Sequence, residues 1–174
     1  MKKLLLFLTL TISAIFFNAE AKKIKGIIET NVIESTINGK PFETDSVFGV
    51  TFSRLGDTFL TVLPRNRTTD EIAIEWEGAK VNYGKVVYDT DRQIDMDSHP
   101  KSDEQIYGNQ SGLMRNITSR HNVMSSGIRP LFDKKNVEKK GIPETVSVTI
   151  PVRLKNGDAR LYKYKIEFRY KPMD

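Results

Sequence analysis

The 174-residue sequence contains no cysteine. That absence excludes a disulfide framework, a cysteine nucleophile, thiolate metal ligands and a thiol for lipid attachment behind an export signal. Histidine is almost as scarce: His99 and His121 are the only two, and they are the only side chains whose ordinary pKa lies near neutrality. Ser98 adjoins the first and Ser119 lies near the second, yet nothing around either serine resembles a nucleophile elbow. There is a single tryptophan, Trp76. No stretch longer than a few residues repeats its apolar side chains at helical spacing, so long amphipathic helices are not expected.

What is present begins with Lys2-Lys3, an apolar segment from Leu4 to Phe17, and Ala19-Glu20-Ala21. A basic start, a short apolar centre and an A-x-A end read as a secretory signal peptide cut after Ala21. The 14 residues from 4 to 17 fall short of the ~20 that a spanning helix needs. No transmembrane segment is then expected in residues 22–174, which suit a single domain. Of 27 basic and 22 acidic residues, 25 and 21 lie beyond residue 21, a mild excess of +4. Interspersed charge of this size is unlike a nucleic-acid-binding stripe, and nucleic acid is not an expected partner.

The clearest pattern is TVSVTIPVRLKNGDARLYKYKIEFRY over 145–170. Val146, Val148, Ile150, Val152 and Leu154 are even-numbered, as are Tyr162, Tyr164, Ile166, Phe168 and Tyr170, with polar residues between most of them. A two-residue period marks strands with one buried face. Asn156-Gly157 joins them into a hairpin. A two-residue loop would set even positions against odd and split the apolar face. A three-residue loop, Lys155-Asn156-Gly157 with a left-handed glycine, instead pairs Val152 with Arg160, Ile150 with Tyr162, Val148 with Tyr164 and Val146 with Ile166. That is the predicted register.

Further strands are predicted near 25–36, over 48–53, over 58–63 with Pro64 closing it, over 72–76 with Trp76 on the buried face, over 85–89 and within 113–119. Asn38-Gly39-Lys40-Pro41 is a strong turn signal. Residues 91–112 read as one long polar loop, Ile128–Phe132 as a segment returning to the core, and Asp133–Glu144 as a solvated connection. About seven or eight strands with short turns predict an all-β, immunoglobulin-like sandwich of two antiparallel sheets.

Asn66-x-Thr68, Ile72-x-Ile74-x-Trp76, Ile128-x-Pro130-Leu131-Phe132, Val148-x-Ile150-Pro151 and the tyrosine-rich last strand together resemble small exported bacterial β-sandwich proteins, many of them lipoproteins of unknown function. The resemblance runs loosely over residues 57–169 and implies fold and export, with no active site to carry over. This chain departs from the lipoproteins in lacking the lipid-bearing cysteine.

Asp89, Asp91, Asp95, Asp97, Asp103 and Glu104 could gather oxygen ligands for calcium, with Asp91, Asp95 and Asp97 the central candidates. Their spacing lacks the regular acidic positions and central glycine of a known calcium loop, and the plainer reading is a solvated loop. No cofactor and no catalytic residue is assigned. Asn66, Asn109 and Asn116 each begin an N-x-S/T triplet and are read as unmodified turn and strand residues. The expected function is a non-enzymatic binding or structural accessory of the bacterial cell envelope, periplasmic or extracellular, with a protein or glycan partner. The alternative is a hydrolase or metal-dependent enzyme using the 91–121 region.

Overall fold

The computed structural model describes residues 26–82, 84–88, 103–124 and 127–173. The expected signal peptide, residues 1–21, lies outside them, as do Asp89, Asp91, Asp95, Asp97, Ser98 and His99. Residues Ile28–Tyr170 form one compact unit.

The last two strands are β12 (Glu144–Leu154) and β13 (Ala159–Pro172). They pair antiparallel with Val146 opposite Ile166, Val148 opposite Tyr164, Ile150 opposite Tyr162 and Val152 opposite Arg160, the register predicted from the greasy face. Leu154 N–H donates to Asp158 C=O at 2.8 Å, and Gly157 adopts φ 89°, so the loop is the three-residue one. Side chains of this kind contribute ~1.5–3 kcal/mol each when buried, which outweighs the ~0.2–1 kcal/mol available from any single cross-strand pair. Burial therefore sets the register.

Eleven strands join in one antiparallel sheet; β10 (Val123–Met124) and β11 (Gly127–Ile128) form a separate pair. The main path runs β2 (Lys40–Pro41), β1 (Gly26–Ile37), β13, β12, β6 (Lys80–Val81), β7 (Gly84–Tyr88), β9 (Arg115–Ser119), β4 (Phe59–Asn66), β3 (Phe48–Leu55). Off that path, β5 (Ile72–Ile74) pairs with β12, and β8 (Glu104–Ile106) pairs with β5. β3, at one end of the path, faces β13 across the core: Phe48 lies 4.8 Å from Tyr162 and Phe52 lies 5.2 Å from Tyr164, ring centre to ring centre. Strand number exceeds the expected seven or eight because β2, β5, β6, β8, β10 and β11 have only two or three residues each, too few to show a period.

Four local expectations are corrected. Pro64 does not end β4, which continues to Asn66. The carbonyl of Pro64 accepts from Gly112 N–H; in an extended strand the missing N–H faces the same side, so no bond to β3 is lost. Trp76 is buried as expected but sits in a 3-10 turn, Trp76–Gly78, after β5 has ended. Residues 104–106 are a strand and not part of a polar loop. Finally, the solvated connection contains a helix, α1 (Lys134–Lys140). Asp133 caps it by accepting from Lys135 and Asn136 N–H, and Gly141 closes it at φ 65°. Only Val137 of the seven residues is buried, so no helical period could register.

Candidate functional site

The first strand departs from the alternation that organises the rest of the sheet. Asn31, Val32, Ile33 and Glu34 are all exposed, although consecutive residues point to opposite faces. Val32 is 45% and Ile33 49% exposed, so one aliphatic side chain stands uncovered on each face. Ile28 and Ile37 both pack on the core, yet 28 and 37 differ in parity.

One edge of β1 pairs with β13; on the other, β2 reaches only Thr36 and Ile37, and Ser35 C=O accepts from Phe42 N–H at 3.0 Å. At the opposite end the carbonyl of Ile28 accepts from Arg54 Nε at 3.1 Å, a side chain of β3 that bridges the two ends of the sheet path. Between these fastenings, residues 30–34 have no strand on their outer edge among the described residues. Glu29 and Glu34 bracket the gap, and edge charges of this kind restrain indiscriminate pairing.

β2 stays short because the chain turns away at once. Asn38 and Gly39 take φ 50° and 81°, a tight turn that only residues tolerant of the left-handed region can make. The chain beyond folds back over the final hairpin. Phe42 meets the rings of Tyr162 and Tyr164 edge-on at 5.9 and 6.2 Å. The Asp45 carboxylate accepts from Phe48 N–H at 3.0 Å, from the Tyr162 hydroxyl and from Arg160 at 3.4 Å, while Arg67 donates to its carbonyl at 2.8 Å. This knot holds the 42–47 segment away from the middle of β1.

Burial pushes the Tyr162 phenol above its ordinary pKa of 10.0; the bond to Asp45 adds to the rise and Arg160 opposes it. Burial also raises Tyr164, with Tyr162 and Asp45 adding to it. Above pH 10 the unfolded chain then releases protons that the folded chain keeps. Stability, undiminished below pH 10, falls by up to ~1.4 kcal/mol per pH unit for each such tyrosine. Urea midpoints between about pH 9 and about pH 12 are expected to fall less steeply for Tyr162→Phe than for the unmodified protein. Parallel curves would show that Tyr162 titrates normally.

Of the residues singled out within 91–121, the described carboxylates Asp103 and Glu104 are held in separate contacts. Asp103 bonds Arg153, and Glu104 points inward to Trp76, Leu113 and Arg115. Among the described residues no three histidine, aspartate or glutamate side chains gather as metal ligands. Ser119 and His121 do come together beside Gly84. A Cβ on that glycine would stand 2.0 Å from Ser119 Oγ and 2.5 Å from His121 Nδ1. The serine is buried at 1% exposure and its hydroxyl accepts from His121 N–H, so the contact closes the β7–β9 ladder and offers no accessible nucleophile.

No match to a known protein was found, whether among protein-family models, curated proteins or solved structures. No helix among the described residues is long and apolar enough to cross a membrane. The open edge of β1 is therefore the feature on which a function can be argued. Sequence reading found the strand but not its exposure; the one available signal was that Glu29–Glu34 do not alternate between apolar and polar.

Proposed function

We propose that this protein is an exported, non-enzymatic accessory of the bacterial cell envelope, periplasmic or extracellular, that captures an extended segment of a partner protein as an added strand on the outer edge of β1. The observation that carries the reading is the edge at residues 30–34, unpaired among the described residues, with Val32 and Ile33 exposed along it. An incoming strand would satisfy the edge's backbone donors and acceptors and cover both side chains, the physics of β-strand addition. The finer architecture we propose is an immunoglobulin-like two-sheet sandwich, supported by the facing of β3 against β13 across the aromatic core. Export and the likeness to small bacterial β-sandwich proteins rest on the sequence patterns given above.

The reading is tested with an array of synthetic peptides of about ten residues that differ in apolar alternation, followed by amide hydrogen exchange on the best binders. The expected binders alternate apolar and polar residues and slow exchange in 30–34. Val32→Ser combined with Ile33→Ser is expected to weaken them at least about tenfold, a loss of ~1.4 kcal/mol. Protection confined to other strands, or affinity unchanged in the double variant, would reject the reading.

A further inference from the structure

We infer that the outward face of the ladder β13–β12–β6–β7 is a binding track for a linear phosphate polymer lying across the strands. Register places Lys163 opposite Thr149, Thr149 opposite Lys80, and Lys80 opposite Lys85. Opposed residues point to the same face, so three lysines and a threonine form a single row. With strands ~4.8 Å apart the row is ~14 Å long. Lys165 stands on the next row, opposite Ser147.

Lys80, Lys85, Lys163 and Lys165 are exposed, and none has an ion-pair partner among the described residues. Glu34 shares with Ser147, Lys163 and Lys165 a cleft of about 170 Å³, and Glu167, two residues along the same face from Lys165, pairs with Arg169. Elsewhere on the same face the charge is neutralised: Arg153 pairs with both Asp103 and Glu75.

Like charges directly opposite each other destabilise a sheet. Lys80 and Lys85 carry that penalty between strands in the interior of the path, where lysine is not needed to guard an edge. The fold gains nothing from the arrangement; an anion resting on both ammonium groups removes the repulsion. Lysine binds phosphate as a point charge, and the hydroxyls of Thr149 and Ser147 can donate to phosphate oxygens between the lysines. A chain fits this track better than a bilayer does. The row on one side, Leu161 opposite Pro151, is uncharged and narrows the positive strip, whereas a membrane surface rewards cations spread in two dimensions.

The test is titration of the full chain with fluorescently labelled inorganic polyphosphate between about 0.05 M and about 0.2 M salt. Lys80→Ser with Lys85→Ser is expected to weaken binding tenfold or more and to lower the slope of log K against log salt by about 1.4–1.8, the effect of two fewer phosphate contacts. Its melting temperature is expected to hold or rise, which separates lost contact from lost fold. Lys135→Ser with Lys139→Ser on α1 removes the same charge and is expected to change affinity less than twofold. Equal losses in the two double variants would reduce the effect to net charge and overturn the assignment. So would failure of the unmodified protein to bind polyphosphate at the lowest salt, or tighter binding to phosphatidylglycerol vesicles or to single-stranded DNA.

Discussion

Glu104→Ala is expected to destabilise the protein by ~3–5 kcal/mol, the range for removing one partner of a buried ion pair. The carboxylate has no idle oxygen: Oε2 accepts from Trp76 Nε1 at 2.7 Å and Arg115 Nε at 2.9 Å, and Oε1 accepts from Leu113 N–H at 2.5 Å. Arg115 also lies over the Trp76 ring at 5.6 Å. Alanine would take the carboxylate away from an indole N–H, a backbone N–H and a largely buried guanidinium together. Glu104→Gln is no rescue, because an amide offers one acceptor oxygen where donors approach from two sides; its NH₂ group must then face a donor. A loss of ~1–3 kcal/mol is expected for it. Urea unfolding of both variants supplies the measurement, and a loss below ~1 kcal/mol for Glu104→Ala would mean that water replaces the carboxylate at little cost.

Asn66→Ala is expected to cost ~2–4 kcal/mol, from several bonds lost together at a site closed to solvent. Asn66 is 0% exposed and uses both ends of its amide. Nδ2 donates to Asp70 C=O at 2.6 Å and Ile106 C=O at 2.9 Å, while Oδ1 accepts from Thr68 N–H at 2.9 Å and Thr68 Oγ1 at 2.8 Å. Asn66→Asp should be worse than alanine. It sets a carboxylate against two carbonyl oxygens and buries a charge with no cation bonded to it. If thermal unfolding ranks aspartate above alanine, the amide orientation must be reversed. A sugar on Nδ2 would replace one of the two N–H groups that tie Asn66 to Asp70 and Ile106, consistent with reading the Asn66-Arg67-Thr68 triplet as a structural turn.

Glu104 and Asn66 both fasten β8, and β8 is where sequence reading failed. Glu104-Gln105-Ile106 shows one apolar residue in three, and a buried glutamate looks identical in sequence to a solvated one. Its three donors come from positions 76, 113 and 115, so nothing within the local window signals burial. The final hairpin was legible for the opposite reason. Val146 to Val152 and Tyr162 to Phe168 each bury every second residue, and two such runs leave one register that keeps both faces intact. Trp76 was legible as a core residue but not as a 3-10 turn, because burial continues for one residue after the β5 ladder stops. Helix α1 was hidden by its brevity, although Asp133 and Gly141 stand where a cap and a left-handed stop belong. For the candidate site, sequence gave β1 its secondary structure. The open edge depends on how far β2 extends, and that is decided by Asp45 gripping Tyr162 and Arg160 more than a hundred positions away.

Because β1 lies between β2 and β13, the earliest described strand finds its main partner in the latest. Synthesis delivers β1 well before β13, and loops of that length close slowly. On the ribosome the leading segment waits, extended and without its neighbour, until the tyrosine-bearing segment has been made. The main edge of β1 can therefore close only after β13 has been made.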